Sequence, residues 1–261
     1  MRMGRVRCIS SWSMAGEAGI HFDDASAPPG MRIYAVGDIH GRFDLLSEMH
    51  RQIMEEIGRD RPGDWRLIFL GDYVDRGPDT RRVLDLLSHA TQADPRVIAI
   101  AGNHDLGMLD FLSQPRADSL FANNGGEATA RSYGVALRFY PEEALLQGWD
   151  ELRRSIPEEH LTFLRGLRPS VCFGDLFFCH AGIRPGVPLE EQENTDLIWI
   201  RERFLHHAGL HPKLIVHGHT PHDRPEILPN RVNLDTGAFH TGRLTAMMFE
   251  GRTKRLLEAA L

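Results

Sequence analysis

Five short apolar runs in this 261-residue chain each stop at a residue able to bind a metal. Ile33-Tyr34-Ala35-Val36 leads into Gly37-Asp38-Ile39-His40-Gly41, and Leu67-Ile68-Phe69-Leu70 into Gly71-Asp72-Tyr73-Val74-Asp75-Arg76-Gly77. Val97-Ile98-Ala99-Ile100-Ala101 leads into Gly102-Asn103-His104-Asp105. Leu176-Phe177-Phe178-Cys179 ends on His180-Ala181-Gly182, and Leu214-Ile215-Val216 on His217-Gly218-His219-Thr220. An unbroken apolar run of this length is what a strand buried on both faces requires. A polar residue just past its end lies on the rim of the sheet, where α/β proteins gather their active sites. Singly, each has an ordinary explanation: Asp caps a helix, Asn makes a turn, one His is a bonded core residue. At five successive strand ends, a metal site is the simplest account.

From Arg32 the order is strand, helix, strand, helix, strand, helix, which points to an α/β fold built from parallel units with helices on the sheet. Leu46, Met49, Ile53 and Ile57 form one apolar stripe on a helix over about 43–57. A second helix follows Pro78 with Asp79 as N-cap and carries Val83, Leu84 and Leu87 inward. A third starts near His104 and buries Leu109 and Leu112. Residues 113–168 break the pattern with a turn at Asn123-Asn124-Gly125-Gly126 and two helices opening at Pro141 and Pro157. This stretch reads as a small helical cap inserted beside the site. A hairpin over 170–180 turns at Gly174-Asp175, placing Cys172 opposite Phe177 and Cys179 opposite Ser170. That register puts the two thiols out of step, so no disulfide is expected across the hairpin. A helix near 195–205 and strands near 213–217, 231–235, 244–249 and 252–257 complete the chain.

The length suffices for one large domain with a cap, here 31–261. Residues 1–30 mix Gly, Ala, Ser and Pro without period and read as a flexible extension. They lack the continuous apolar core of a secretory signal, and no run of eighteen apolar residues could span a membrane. Three cysteines, an odd and sparse set, point to a reducing compartment, and the expected location is cytoplasmic. A net charge of −6 argues against a nucleic-acid backbone as main partner. Oligomeric state is not legible.

Mixed carboxylate, amide and imidazole ligands suit manganese, iron or zinc. Asp38 and His40, two apart, project the same way from an extended segment. Asp72 could bridge two ions, and a neutral Asn103 makes sense only in a site already crowded with anions. Two ions about 3.5–4 Å apart can hold a hydroxide between them and clamp a phosphoryl oxygen. His217 and His219 face the same way in a strand, so spacing does not choose between them. His21, His50, His89, His160, His206, His207, His211 and His240 show no facing ligand pattern and read as solvated.

These blocks, in this order, resemble the phosphoprotein phosphatase family of metallophosphoesterases, in particular bacterial and phage serine/threonine phosphatases. Gly37 to Gly41, Gly71 to Gly77 and Gly102 to Asp105 look like its three signature blocks. His180-Ala181-Gly182 and Gly218-His219-Thr220-Pro221 look like its later histidine blocks, and Trp199-Ile200-Arg201-Glu202-Arg203 like a segment supplying a phosphate-gripping arginine. Asn124-Gly125-Gly126 is the only loose match inside the cap. The resemblance implies two face-to-face mixed β-sheets with helices outside. It implies one divalent ion on Asp38, His40 and bridging Asp72, and a second on Asp72, Asn103, His180 and His219, which favours His219 over His217. Manganese is the expected metal, with iron, zinc or magnesium as alternatives. Pro221 stands where many relatives carry another histidine, and Asp105 where Glu is commoner.

On that basis Arg76 and Arg201 would grip a phosphate, for which the planar guanidinium fork is suited. A metal-bridging hydroxide would attack in line, and His104, oriented by Asp75, would protonate the leaving oxygen. Phosphoserine or phosphothreonine in a protein or peptide is the expected substrate, modestly favoured by the block containing Asp75. Hydrolysis of symmetrical dinucleoside tetraphosphates is the alternative, since one metal core can cleave either bond. A metal-stabilised binding module without activity is disfavoured, because every ligand and the acid are present.

Overall fold

The computed structural model describes residues 19–260. The chain enters through β1 (Met31–Val36), α1 (Phe43–Asp60), β2 (Asp64–Phe69), α2 (Thr80–Ala93), β3 (Val97–Ala99) and α3 (Asn103–Ser113). Four helices follow: α4 (Leu120–Asn123), α5 (Gly126–Ser132), α6 (Glu142–Ser155) and α7 (Glu158–Arg165). Then come β4 (Ser170–Phe173), β5 (Leu176–Cys179), α8 (Asn194–Trp199), α9 (Glu202–Leu205), β6 (Leu214–His217), β7 (Glu226–Ile227) and β8 (Arg231–Asn233). The last elements are α10 (Ala238–Thr241), β9 (Arg243–Glu250) and β10 (Thr253–Ala260).

The strands form two mixed five-stranded sheets, ordered β10-β9-β1-β2-β3 and β4-β5-β6-β8-β7. β1, β2 and β3 run parallel, as do β5, β6 and β8, while antiparallel pairs form every edge except that of β3. The sheets share one apolar layer and the helices cover the outer faces. Ile33, Ala35, Ile68 and Leu70 meet Leu176, Phe178, Leu214 and Val216 between the sheets. Their alternate neighbours Tyr34, Val36, Leu67, Phe69, Phe177, Cys179 and Ile215 pack outward with the helices. The period of two explains why these runs contain no polar residue: both faces are core. The two-sheet sandwich with flanking helices expected from the resemblance is the fold.

Several local expectations hold in detail. The hairpin pairs Cys172 with Phe177 and Ser170 with Cys179, whose buried thiol is free. Leu112 is buried in α3, whereas Leu109 is only partly so. Asp79 occupies the N-cap of α2, but its side chain does not cap; it pairs with Arg82 at 3.3 Å. The helix expected near 195–205 is two short helices broken at Ile200-Arg201. The region 113–168 holds α4 and α5 as well as the two expected helices.

The expected extension over 1–30 lies partly outside the described residues, but 19–30 are part of the fold. Ile20 bonds His211 and Phe22 bonds Pro229 through the backbone, and Ala25 and Ala27 join the layer between the sheets. Small buried alanines leave no periodic signal, which is why composition misread them. Two histidines expected in solvent are also buried. His160 links the Tyr133 hydroxyl to Asp85, and His211 stacks on Phe204. Among the described residues no helix is long and apolar enough to cross a membrane.

Candidate metal centre

Every ligand candidate sits where its strand ends on one edge of the two sheets, and the backbone there is unusual. Among the described residues six non-glycine residues adopt positive φ, and five of them are His40, Asp72, Asp75, Arg76 and His219. Left-handed backbone is unfavourable for residues with a Cβ and persists only where the surroundings enforce it, most often at functional sites. Gly71 itself needs φ +104°, whereas Gly37 and Gly102 are required for lack of room. A Cβ on Gly102 would lie 2.2 Å from an Asp72 carboxylate oxygen.

Asp72 is the hub. Its Oδ1 accepts the His104 backbone N–H at 3.0 Å, leaving Oδ2 free. That oxygen lies 3.4 Å from His40 Nε2 and 3.4 Å from His180 Nε2. Two buried groups with ligand atoms within 4.8 Å of one another share it: His40, Asp72, His104 and Asp72, His180, His219. Asn103 Oδ1 lies 3.0 Å from His180 Nε2 and 2.8 Å from His219 Nδ1. Asp38 stands outside both groups, with its two oxygens accepting the His219 N–H at 3.3 and 3.1 Å. His217 turns away onto Phe204, so tertiary structure chooses His219.

The tautomers fit a cation. His40 Nδ1 donates to the Val74 carbonyl and His180 Nδ1 to the Leu70 carbonyl, each at 2.8 Å. A carbonyl only accepts, so each Nδ1 carries a proton and each Nε2 is aimed inward. This is the arrangement that orients histidine ligands on metals. Both Nε2 atoms face Asp72 Oδ2, and that of His180 also faces Asn103 Oδ1, so a ring proton or a bound cation can bridge them.

Charge points the same way. Burial, followed by repulsion from Asp235, pushes the Asp38 carboxyl well up. Burial would raise Asp72 too, but the imidazoles of His180 and His104 hold it well below the carboxylate range. Burial lowers His40 to about 3. It works against His180 as well, yet Asp72 and Asp38 lift that imidazole to about 10. Metal-free, a proton on His180 is what binds the acceptors together; divalent ions would supply more charge at the same place. The residues present therefore fit a pair of ions.

The expected acid and arginines flank this pocket. His104 Nδ1 is 2.7 Å from Asp75 Oδ2. Burial lowers the His104 imidazole, but Asp72 and Asp75 outweigh it and raise it. Arg76 donates to His104 Nε2 at 3.1 Å and lies over the Phe239 ring at 4.7 Å. On the other side Arg201 Nε donates to His219 Nε2 at 3.1 Å. The two guanidiniums thus border the pocket next to different halves. Asp105 stands behind it, accepting the backbone N–H groups of Gly102, Asp72 and Tyr73 at 2.9 Å each. Sequence reasoning missed Asp235, a buried carboxylate just past β8 and beside Asp38. The signal was the apolar alternation of Val232 and Leu234 ending on Asp235, weaker than the five unbroken runs.

A strand-edge pocket of carboxylate, amide and imidazole bordered by arginines defines a metal-dependent phosphoesterase. The chain belongs to the calcineurin-like phosphoesterase family, whose model matches residues 31–246. It is 28% identical over 239 residues to the asymmetrical bis(5'-nucleosyl)-tetraphosphatase PrpE of Halalkalibacterium halodurans, covering 84% of this chain and 90% of that one. PrpE of Anoxybacillus flavithermus is 26% identical, covering 82% and 89%. The fold is shared with a protein serine/threonine phosphatase of Saccharomyces cerevisiae, at TM-score 0.53 and 14% identity over 90% of this chain and 81% of that one.

Proposed function

We propose that this protein hydrolyses dinucleoside polyphosphates, cutting a tetraphosphate bridge unsymmetrically. The observation that carries the hydrolytic reading is the single Asp72 oxygen equidistant from His40 and His180 at the shared corner of two ligand groups. The substrate class is supported by the PrpE relatives, which match over most of both chains. It is supported too by Trp199, 48% exposed with its ring 6.2 Å from that of His219, an aromatic face beside the pocket for a nucleobase. A bound pair of divalent ions, manganese being the expected species, would polarise a phosphoryl oxygen and make water nucleophilic near neutral pH.

Arg76 and Arg201 hold the phosphate from opposite sides. Asp38, Asp72, Asn103 and the histidines hold the ions, and Asp105 fixes the loop on which Asp72 sits. His104, held at Nδ1 by Asp75, would deliver a proton from Nε2 to the leaving oxygen once Arg76 turns from that nitrogen onto the phosphate. A phosphate leaving group needs that proton less than a serine alkoxide does, so the dyad matters more for monoesters.

The test is a side-by-side assay of manganese-loaded protein on diadenosine tetraphosphate and a phosphoserine peptide. Equimolar nucleoside triphosphate and monophosphate are expected. Two diphosphates would make the cut symmetrical. Phosphate release from the peptide, with the dinucleotide left intact, would restore a phosphoprotein substrate.

A further inference from the structure

The acid and one phosphate-binding arginine depend on a contact from the helical insertion. Asp75 and Arg76 are consecutive and both left-handed, at φ +70° and +68°. Within their own loop the Gly77 N–H closes a tight turn on the Asp75 carbonyl at 2.8 Å, and further support comes from outside it. Across from them lies the start of α5. The Gly125 carbonyl accepts the Arg76 N–H at 3.3 Å, and a Cβ on Gly125 would stand 2.5 Å from the Arg76 nitrogen. Thr129, one turn on and fully buried, accepts the Asp75 N–H at 2.8 Å and donates its hydroxyl proton to Asp75 Oδ1 at 3.0 Å. The remaining lone pair takes the hydroxyl of Thr80, the first residue of α2, at 3.1 Å. One donor and two acceptor positions are all a hydroxyl has, and all three are used.

We infer that Thr129 is a positioning residue for the reaction, clamping the Asp75 carboxylate so that its other oxygen meets His104 Nδ1. The argument is geometric. Asp75 has two oxygens; one bonds His104 at 2.7 Å and the other bonds Thr129. With both fixed, the carboxylate plane cannot turn, and the imidazole keeps the tautomer that aims Nε2 outward. Gly125 supports the next residue, so α5 holds both the acid's partner and Arg76 in register. Thr129 touches no reacting atom and acts through Asp75.

The inference rests on His104 acting as the acid, and the experiment separates the two. Wild type, Thr129→Val, Thr129→Ser and Asp75→Asn are loaded with manganese and assayed on phenyl phosphate and on 4-nitrophenyl phosphate, whose leaving group needs no proton. Thr129→Val is expected to lose roughly tenfold on phenyl phosphate, a tenth of the lower end of the general-acid effect, and clearly less on the nitrophenyl ester. KM should change little, and Thr129→Ser should restore the wild-type ratio. In parallel, the downfield proton of the His104–Asp75 hydrogen bond is followed by NMR in metal-free protein. It should shift or broaden in Thr129→Val and return in Thr129→Ser. A Thr129→Val protein with the wild-type leaving-group ratio and an unmoved proton overturns the inference. If Asp75→Asn itself shows the wild-type ratio, the acid role falls, and the proton signal alone decides whether Thr129 is the clamp.

Discussion

Strand β1 has a charged cluster at each end, and the two are built on opposite terms. At its start Arg32 meets Glu250 at 2.8 Å and Asp60 at 2.7 Å, while Glu56 accepts from the Tyr34 hydroxyl at 2.9 Å and pairs with Arg255. Each anion there has its cation within the chain. Past the other end, Asp38, Asp72, Asp75 and Asp235 are buried together beside imidazoles, and among the described residues no lysine or arginine is paired with any of them. The first cluster is complete as folded. The second sets buried carboxylates against imidazoles, and positive charge from outside would complete it. Buried charge left unpaired is costly, so a fold that retains it does so for a ligand.

The difference can be broken most severely at Asp72. Asp72→Asn should cut phosphoesterase activity by ~10³-fold or more, at the upper end for a single electrostatic partner. It should also leave at most one tightly held ion per chain by elemental analysis. Two retained ions would show that Asp72 is no bridge.

Removing the ions should come next in size. A chelator should lower the thermal midpoint, by the equivalent of about 2.7 kcal/mol if the ions had stood at a hundred times their Kd. An unchanged midpoint would mean the carboxylate cluster is satisfied without cations. Glu56→Gln at the other end should cost about 1–3 kcal/mol in denaturant unfolding, the range for a hydrogen-bonded ionic group. It should leave metal content and kcat alone; a change in either would mean that the two ends of β1 communicate.

The smallest effect is at alkaline pH and belongs to the paired end. Burial, only partly opposed by Arg32, lifts the Tyr34 hydroxyl from 10.0 to about 12. Between those values the unfolded chain has lost a proton the folded one keeps, so stability is full below pH 10 and declines as pH rises toward 12. Tyr34→Phe should flatten that decline, seen as a weaker pH dependence of the unfolding midpoint. The same slope in both proteins would place the alkaline loss elsewhere.

What could be read beforehand divides along the same line. The strand-end cluster was legible because each of its residues follows an unbroken apolar run, and such a run has one meaning when both faces are core. The cysteine register was legible because a two-residue turn fixes its hairpin. Thr129 was not, since it lies 54 residues from Asp75 and in no strand-end block. Nor was the burial of His160 and His211, each enclosed by segments distant in sequence. The packing of 19–30 escaped for a related reason: a few alanines suffice to join a core without making a pattern.

Local order in the chain thus determined which side chains would stand at strand ends, and with them the chemistry of a metal-dependent phosphoesterase. Tertiary structure alone decided that His219 and not His217 faces the pocket, that Asp235 joins it, and that Thr129 of α5 bonds Asp75. Periodicity reports which face a residue takes within its own element. Which other element lies opposite is set by how the two sheets and the helices close on one another, and no local pattern carries that.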